Sequence, residues 1–122
     1  MDSGQLSADE IDLLSSVSTN IHHRDGMYAG SAEEYFRAGL SALQCVDVVL
    51  ASVGDTHVRN VLDLPSGYGR ELRFFKLRWP TATFTACDIQ PGGVAFCERE
   101  FGARPAVSEP DLDRVSFRKA LM

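Results

Sequence analysis

A carboxylate and two glycines lie close together in the segment VLDLPSGYGR, residues 61–70. Asp63 ends a short apolar run, and Gly67 and Gly69 form the turn that follows it. Glycines in such a turn let the backbone approach a ligand closely, and at least one of them is expected to have positive φ. A carboxylate beside the turn repels phosphates but favours a cation. The segment therefore indicates a cradle for a cationic cofactor. The alternative is a plain strand-to-helix connection with an incidental acid.

A second carboxylate, Asp88, ends the next β-rich run in the sequence ACDIQ. An acid at the tip of a second parallel strand is placed to accept hydrogen bonds from both hydroxyls of a ribose. Ile89, directly after it, is an apolar residue that could lie against an adenine ring. A strand-end Asp is often only a loop or capping residue. Its combination with Asp63 and the glycine turn favours nucleoside binding.

Two other kinds of nucleotide site fit less well. A dinucleotide fingerprint needs a small residue three positions after its second glycine, and here that position is Leu72. This argues against a dehydrogenase that binds a nicotinamide dinucleotide. The chain also lacks the Gly-Lys-Ser/Thr sequence of a phosphate-binding loop. What remains is a glycine turn without pyrophosphate chemistry.

These residues need a parallel sheet to bring them together, and the rest of the pattern predicts one. Capping boxes at Ser7 and Ser31 begin two N-terminal helices. The first continues to Ile21, and the second spans residues 32–53 with an apolar stripe that ends at Val53. Strands are predicted at 61–64, 81–89 and 104–108, with helices at 70–79 and 91–101 between them. The order predicts an α/β fold with three parallel strands and flanking helices.

The composition is that of an ordinary soluble globular chain, since 44% of the 122 residues are hydrophobic and 24% are charged. The net charge of −5 argues against a nucleic-acid partner, because such proteins neutralise phosphates with basic residues. No apolar run approaches the roughly 20 residues that span a bilayer. The acidic N-terminus is not a secretory signal. We therefore predict a cytoplasmic protein with neither a membrane nor a nucleic-acid partner.

The cysteines and histidines do not form a metal-binding pattern. The three cysteines lack CxxC spacing and are interpreted as small core residues in a reducing compartment. They are Cys45, Cys87 and Cys97. His22 and His23 are adjacent, and neighbours on a helix or strand do not share a face. With the distant His57 they make no ligand set, so we predict no metal.

VLDLPSGYGR followed by ACDIQ resembles the first two motifs of the class I S-adenosylmethionine-dependent methyltransferases. In that family the first acid and the glycines hold the methionine end of the cofactor, and the second acid binds the ribose. Pro65 stands where the commonest motif has its first glycine, which stiffens the turn and removes one backbone donor. The resemblance implies S-adenosylmethionine as cofactor but no particular catalytic residue. It implies as cofactor-binding residues Asp63, Pro65, Ser66, Gly67, Gly69, Asp88 and Ile89.

The resemblance covers roughly residues 25–110 and also implies how the chain is divided. Residues 1–56 are expected to form an N-terminal helical cap segment, in which the long helix resembles one that often closes the site in the family. Residues 57–122 are expected to form an incomplete Rossmann-like domain, because a full domain of the family has seven strands. We expect a fragment of an enzyme that transfers a methyl group to an unknown acceptor. The alternative is a non-enzymatic interaction module or an inactive truncated methyltransferase-like protein.

The incomplete sheet leads to a prediction about self-association. Strand 61–64 would be an exposed edge with unpaired N–H and C=O groups, which favours pairing with another chain. We expect the 122-residue chain to self-associate through residues 60–64 or 111–122 and to show no methyl-transfer turnover. Sedimentation at several concentrations tests this. A monomer that turns over S-adenosylmethionine would contradict it.

Overall fold

The computed structural model describes residues 5–109 of the chain. The predicted contact segment 111–122 lies outside these residues. The described part contains four helices and three strands in the predicted order. They are α1 (Ala8–Ser16), α2 (Ala32–Val53), β1 (Asn60–Asp63), α3 (Leu72–Arg78), β2 (Thr83–Asp88), α4 (Pro91–Phe101) and β3 (Arg104–Val107).

The three strands form one parallel sheet in the order β1-β2-β3. This confirms the α/β class and the three parallel strands with flanking helices. Asp63 is the last residue of β1 and pairs in register with Ala86 of β2, while Asp88 is the last residue of β2. Because parallel strands share a direction, both carboxylates lie at the same end of the sheet, where open α/β sheets bind ligands.

Helix α3 joins the sheet to the N-terminal helices. On one side Leu72 belongs to the core cluster that β2 and α4 form, with Phe84 and Phe101. On the other side Phe74 packs in a second cluster with residues of α1 and α2, among them Leu43. The helices of the predicted cap segment 1–56 therefore pack against α3, and this short helix connects the two clusters.

The N-terminal helices begin at the predicted residues but differ from the prediction in capping, extent or burial. At α2 the Glu34 N–H donates to the Ser31 hydroxyl, without the reciprocal bond of the predicted capping box. At α1 the capping box forms in both directions between Ser7 and Glu10. The helix ends at Ser16, so the expected continuation to Ile21 is wrong. After the helix ends, the backbone carbonyls of Ser18 and Asn20 accept hydrogen bonds from the buried side chain of Arg73.

Helix α2 matches its predicted bounds, but its second half is largely exposed. Val53, placed on the apolar stripe, is 68% exposed, and Val48 and Val49 are exposed as well. The expectation of a core position is also wrong for Cys45, which is exposed, while Cys87 and Cys97 are buried. The second half of α2 is exposed because α2 has 22 residues and α3 has only 7, so α3 covers only part of α2.

By length and composition alone, α2 is the one helix among residues 5–109 that could cross a membrane. This is weak evidence, because a helix from the core of a soluble protein passes the same test. The buried residues of α2, including Leu40 and Leu43, pack against α1 and α3. The absence of a membrane partner stays a prediction.

A buried arginine, Arg73 of α3, holds several elements together. Its side chain is only 2% exposed, and all five of its N–H donors are in hydrogen bonds. The acceptors are the backbone oxygens of Gly69, Ser18, Asn20 and Tyr68 and the hydroxyl of Tyr35, at 2.8 to 3.3 Å. The guanidinium also lies 5.1 Å from the ring centre of Phe101.

The positive charge of Arg73 is balanced through a tyrosine. The Tyr35 hydroxyl accepts from Arg73 and donates to the Asp25 carboxylate, with an oxygen–oxygen distance of 2.6 Å. Asp25 is itself buried, at 7% exposure. Burial and this hydrogen bond to Asp25 raise the pKa of Tyr35, so the phenol stays protonated and keeps donating. The arginine, the phenol and the carboxylate therefore form one continuous buried network.

This network predicts an unusually large cost for a conservative substitution. Arg73→Lys would leave most of the five acceptors without a donor, since an ammonium cannot reproduce the guanidinium fork. We expect urea denaturation to show a loss on the order of 3 kcal/mol or more. Arg37→Lys is the matched control, because Arg37 makes one exposed ion pair with Glu33, and it should cost well under about 1 kcal/mol. Equal costs for the two variants would contradict the importance given to Arg73.

Candidate functional site

A cavity of about 610 Å³ opens where β1 and β2 end. Its floor is the β1–α3 turn, residues 63–68, together with Asp88 and Gln90. The facing wall is the segment 24–27, which precedes α2. A cavity of this size is within the range that small-molecule and cofactor sites occupy.

Asp63, at the end of β1, has an unsatisfied carboxylate. Its Oδ2 atom is buried and has no hydrogen-bond partner among the described residues. Burial, and then the nearby negative charges of Glu71 and Asp88, raise the pKa of Asp63 to about 7. A buried ionised carboxylate without a partner is costly. A proton on this carboxylate, or a cation beside it, would offset that cost.

Asp88 connects the two loops that form the floor. Its Oδ2 accepts a hydrogen bond from the Gly67 N–H at 2.8 Å, and its Oδ1 accepts from the Gln90 N–H at 2.9 Å. Asp88 therefore does cap backbone N–H groups of the loops, which was the alternative interpretation from the sequence. A carboxylate has about four lone-pair positions, so each oxygen keeps room for a second donor. Asp88 can hold the turn and accept from a ligand hydroxyl at the same time.

The two glycines of the turn both have positive φ, 53° at Gly67 and 80° at Gly69, which confirms the backbone prediction. The two glycines have different roles. Gly67 lines the cavity, and a Cβ added there would meet nothing within 4 Å. A Cβ at Gly69 would come 2.4 Å from the ring of Phe101, and Gly69 does not line the cavity. Gly69 is therefore required for packing of α4 against the turn.

The backbone donors at the start of the turn are used by the protein itself. The Ser66 N–H donates to the Cys87 carbonyl at 2.9 Å, and the Gly67 N–H donates to Asp88. Pro65 lines the cavity and has no N–H to offer. A turn with so few available donors at its start suits a ligand without phosphate better than a phosphorylated one, as the sequence indicated.

Ile89 lies outside this cavity. Its side chain is 56% exposed and lines a second, shallower cavity of about 720 Å³ with His22 and His23. Arg24, Tyr68 and Gln90 line both cavities. The two cavities therefore adjoin, and together they form a groove from Asp63 to Ile89.

The facing wall was not predicted from the sequence. Arg24, Asp25 and Met27 of the segment 24–27 line the cavity. The Asp-Gly pair at 25–26 was the available signal, since it marks a turn. Nothing local shows that Asp25 would be buried against Tyr35. Arg70 and Glu71, an ion pair at 2.7 Å on the floor side, were also missed.

The structure brings five of the seven sequence-predicted residues to one cavity and leaves Gly69 and Ile89 outside it. The side chains that line the cavity include four acids and two arginines, so the cleft favours a cation. No protein-family model matches the chain, and neither a curated protein nor a solved structure shows significant similarity to it.

The unsatisfied carboxylate predicts that Asp63 lowers the stability of the ligand-free protein. Its pKa rises from 3.8 to about 7 on folding, so the folded state holds the proton more tightly. The stability that the proton confers is present below about pH 4 and is lost as pH rises through 7. Asp63→Asn should therefore be more stable than the unmodified chain at pH 8, by about 1–3 kcal/mol, and the advantage should vanish near pH 4. Denaturation at the two pH values measures this.

Asp12→Asn is the control for the Asp63 experiment, since Asp12 is an exposed acid on α1. It should change stability little at either pH. Equal effects of the two substitutions at pH 8, or a loss of stability in Asp63→Asn, would show that the Asp63 carboxylate has a partner in solution.

Proposed function

We propose that the cleft binds S-adenosylmethionine and that the chain carries the cofactor-binding half of a methyltransferase of class I type. The observation that carries this proposal is the Oδ2 atom of Asp63 at the end of β1, which is buried and has no hydrogen-bond partner among the described residues, in a cavity that also contains Asp88. S-adenosylmethionine has a sulfonium and an ammonium group, and both are cations that such a carboxylate attracts. The parallel order β1-β2-β3 is also the one the resemblance implies.

The residues fit the parts of this cofactor in order along the groove. Asp63 would face the cationic methionine end, and Gly67 would let the backbone lie close beside it. Asp88 would accept from the ribose hydroxyls with the lone pairs that the loop amides leave open. Ile89, exposed in the adjoining cavity, would contact the adenine ring.

The bound cofactor would supply a methyl group activated by the sulfonium, for direct displacement by an acceptor. The chain's own contribution would be positioning. Tyr35 and Arg73 fix the facing wall, and Asp88 fixes the turn, so both sides of the cleft are held before a ligand arrives. Positioning is a large part of catalysis in such a displacement, and no general base is required. We assign no catalytic residue, and the methyl acceptor is unknown.

Calorimetry with S-adenosylmethionine and the purified chain tests the proposal. We expect saturable binding, and we expect Asp88→Ala to weaken it by about tenfold to a hundredfold, because hydrogen bonds to a charged group contribute about 1.5–3 kcal/mol. Asp12→Ala is the matched control, since Asp12 is an exposed acid on α1 that does not line the cavity. Binding to the control should equal binding to the unmodified chain.

Two results would count against the proposal. If the unmodified chain binds no S-adenosylmethionine, the cleft is not a site for this cofactor. That result would favour the alternative of a non-enzymatic interaction module. If binding occurs but Asp88→Ala leaves the dissociation constant unchanged, Asp88 acts only as the loop acid that holds Gly67 and Gln90. Thermal denaturation of Asp88→Ala accompanies the measurement, to show that the variant is folded.

A further inference from the structure

The facing wall of the cleft is firmly held. Asp25 accepts from the Met27 N–H at 3.0 Å and from the Tyr35 hydroxyl, and its own N–H donates to the His22 carbonyl at 2.9 Å. The Arg24 N–H is 3.1 Å from His22 Nδ1. The His22 ring in turn stacks on Tyr68 of the floor, with ring centres 4.6 Å apart. The backbone of Arg24 is therefore positioned by buried and stacked neighbours on both sides.

The wall and the floor differ in charge. The floor has Asp63, Glu71 and Asp88, and its one arginine, Arg70, forms an ion pair with Glu71 at 2.7 Å. The wall presents Arg24, whose guanidinium makes no ion pair among the described residues. Arg24 lines both cavities, so it lies where the two parts of the groove adjoin. The wall's own acid, Asp25, already accepts from the Met27 N–H and the Tyr35 hydroxyl, so a ligand in the groove meets the carboxylates of the floor and the Arg24 guanidinium of the wall.

We propose that Arg24 is the specificity-determining residue that binds the carboxylate of the ligand's amino-acid end, so that the cleft selects a zwitterion. The ligand's cationic groups would face Asp63 on the floor, and its carboxylate would face Arg24 on the wall. A guanidinium suits this task, because its planar fork pairs with a carboxylate through two parallel hydrogen bonds. The proposal rests on the proposed function and names the part of the cofactor that the N-terminal segment recognises.

The carboxylate could instead belong to an anionic methyl acceptor bound at the same wall. Position favours the cofactor, because Arg24 and Asp63 line the same cavity and can face one small zwitterion together. An acceptor carboxylate would be recognised only after the cofactor is in place. Binding of the cofactor alone, without any acceptor, therefore distinguishes the two sources.

The experiment measures how four ligands bind to the unmodified chain and to Arg24→Gln. S-adenosylmethionine and S-adenosylhomocysteine carry the carboxylate, whereas decarboxylated S-adenosylmethionine and 5′-methylthioadenosine lack it. We expect Arg24→Gln to weaken the first pair on the order of tenfold or more and to leave the second pair unchanged. Arg24→Lys, which keeps the charge without the fork, should fall between. Arg59→Gln, the matched control, removes an exposed arginine just before β1 and should change none of the four.

The outcomes separate this proposal from the proposed function. If the unmodified chain binds none of the four ligands, both proposals fail. If it binds them and Arg24→Gln weakens all four alike, or none, the assignment to Arg24 fails while the cofactor site stands. If Arg24→Gln leaves the binding of all four unchanged, the wall does not recognise the cofactor carboxylate, and recognition of an anionic acceptor is the role left for Arg24. Arg24 is exposed, so the variant is expected to fold, and its thermal midpoint checks this.

Discussion

The buried guanidinium of Arg73 is the interaction on which the rest of the structure depends. It binds the carbonyls of Tyr68 and Gly69 in its own preceding turn, and it reaches the segment after α1 and the side chain of Tyr35. A cation at 2% exposure is tolerated only when its donors are satisfied and its charge is balanced. Two of the donors are satisfied by nearby carbonyls, whereas the other three donors and the balancing charge depend on groups distant in sequence. Tertiary contact therefore holds the turn and the facing wall, which no short segment could fix alone.

Asp63 contrasts with Arg73, because the protein satisfies its carboxylate only in part. One carboxylate oxygen is buried without a partner, and two further acids lie near enough to raise its pKa. A buried carboxylate oxygen without a partner lowers the stability of the fold, and the neutral residue Asn would have nearly the same size at this position. Strain that packing does not explain is expected at a binding site, where a ligand supplies what the protein lacks. Arg73 is thus a charge that the protein satisfies itself, whereas Asp63 has a carboxylate oxygen for which the described residues supply no partner.

Much of the fold, but only part of the site, could be predicted from the sequence. Capping residues and glycine stops gave the bounds of α2 and α4, because these signals act within a few residues. Asp63 and Asp88 could be found because the ends of parallel strands meet. Arg73 could not, since its helix looked apolar on one face and its partners at 18 and 20 lie more than fifty residues away. The packing role of Gly69 could not be predicted either, because the ring that would clash with a side chain at this position belongs to Phe101, which is distant in sequence.

The width of the cleft follows from these long-range contacts. The floor is held by Asp88, which joins the turn to the end of β2, and the wall is held by Asp25, which reaches Arg73 through Tyr35. Arg73 also binds the backbone of the turn, so the wall and the floor share one anchor. A change in the charge or the geometry of that anchor would move both sides of the cleft together. Stability of the core and shape of the site thus both depend on the same buried network.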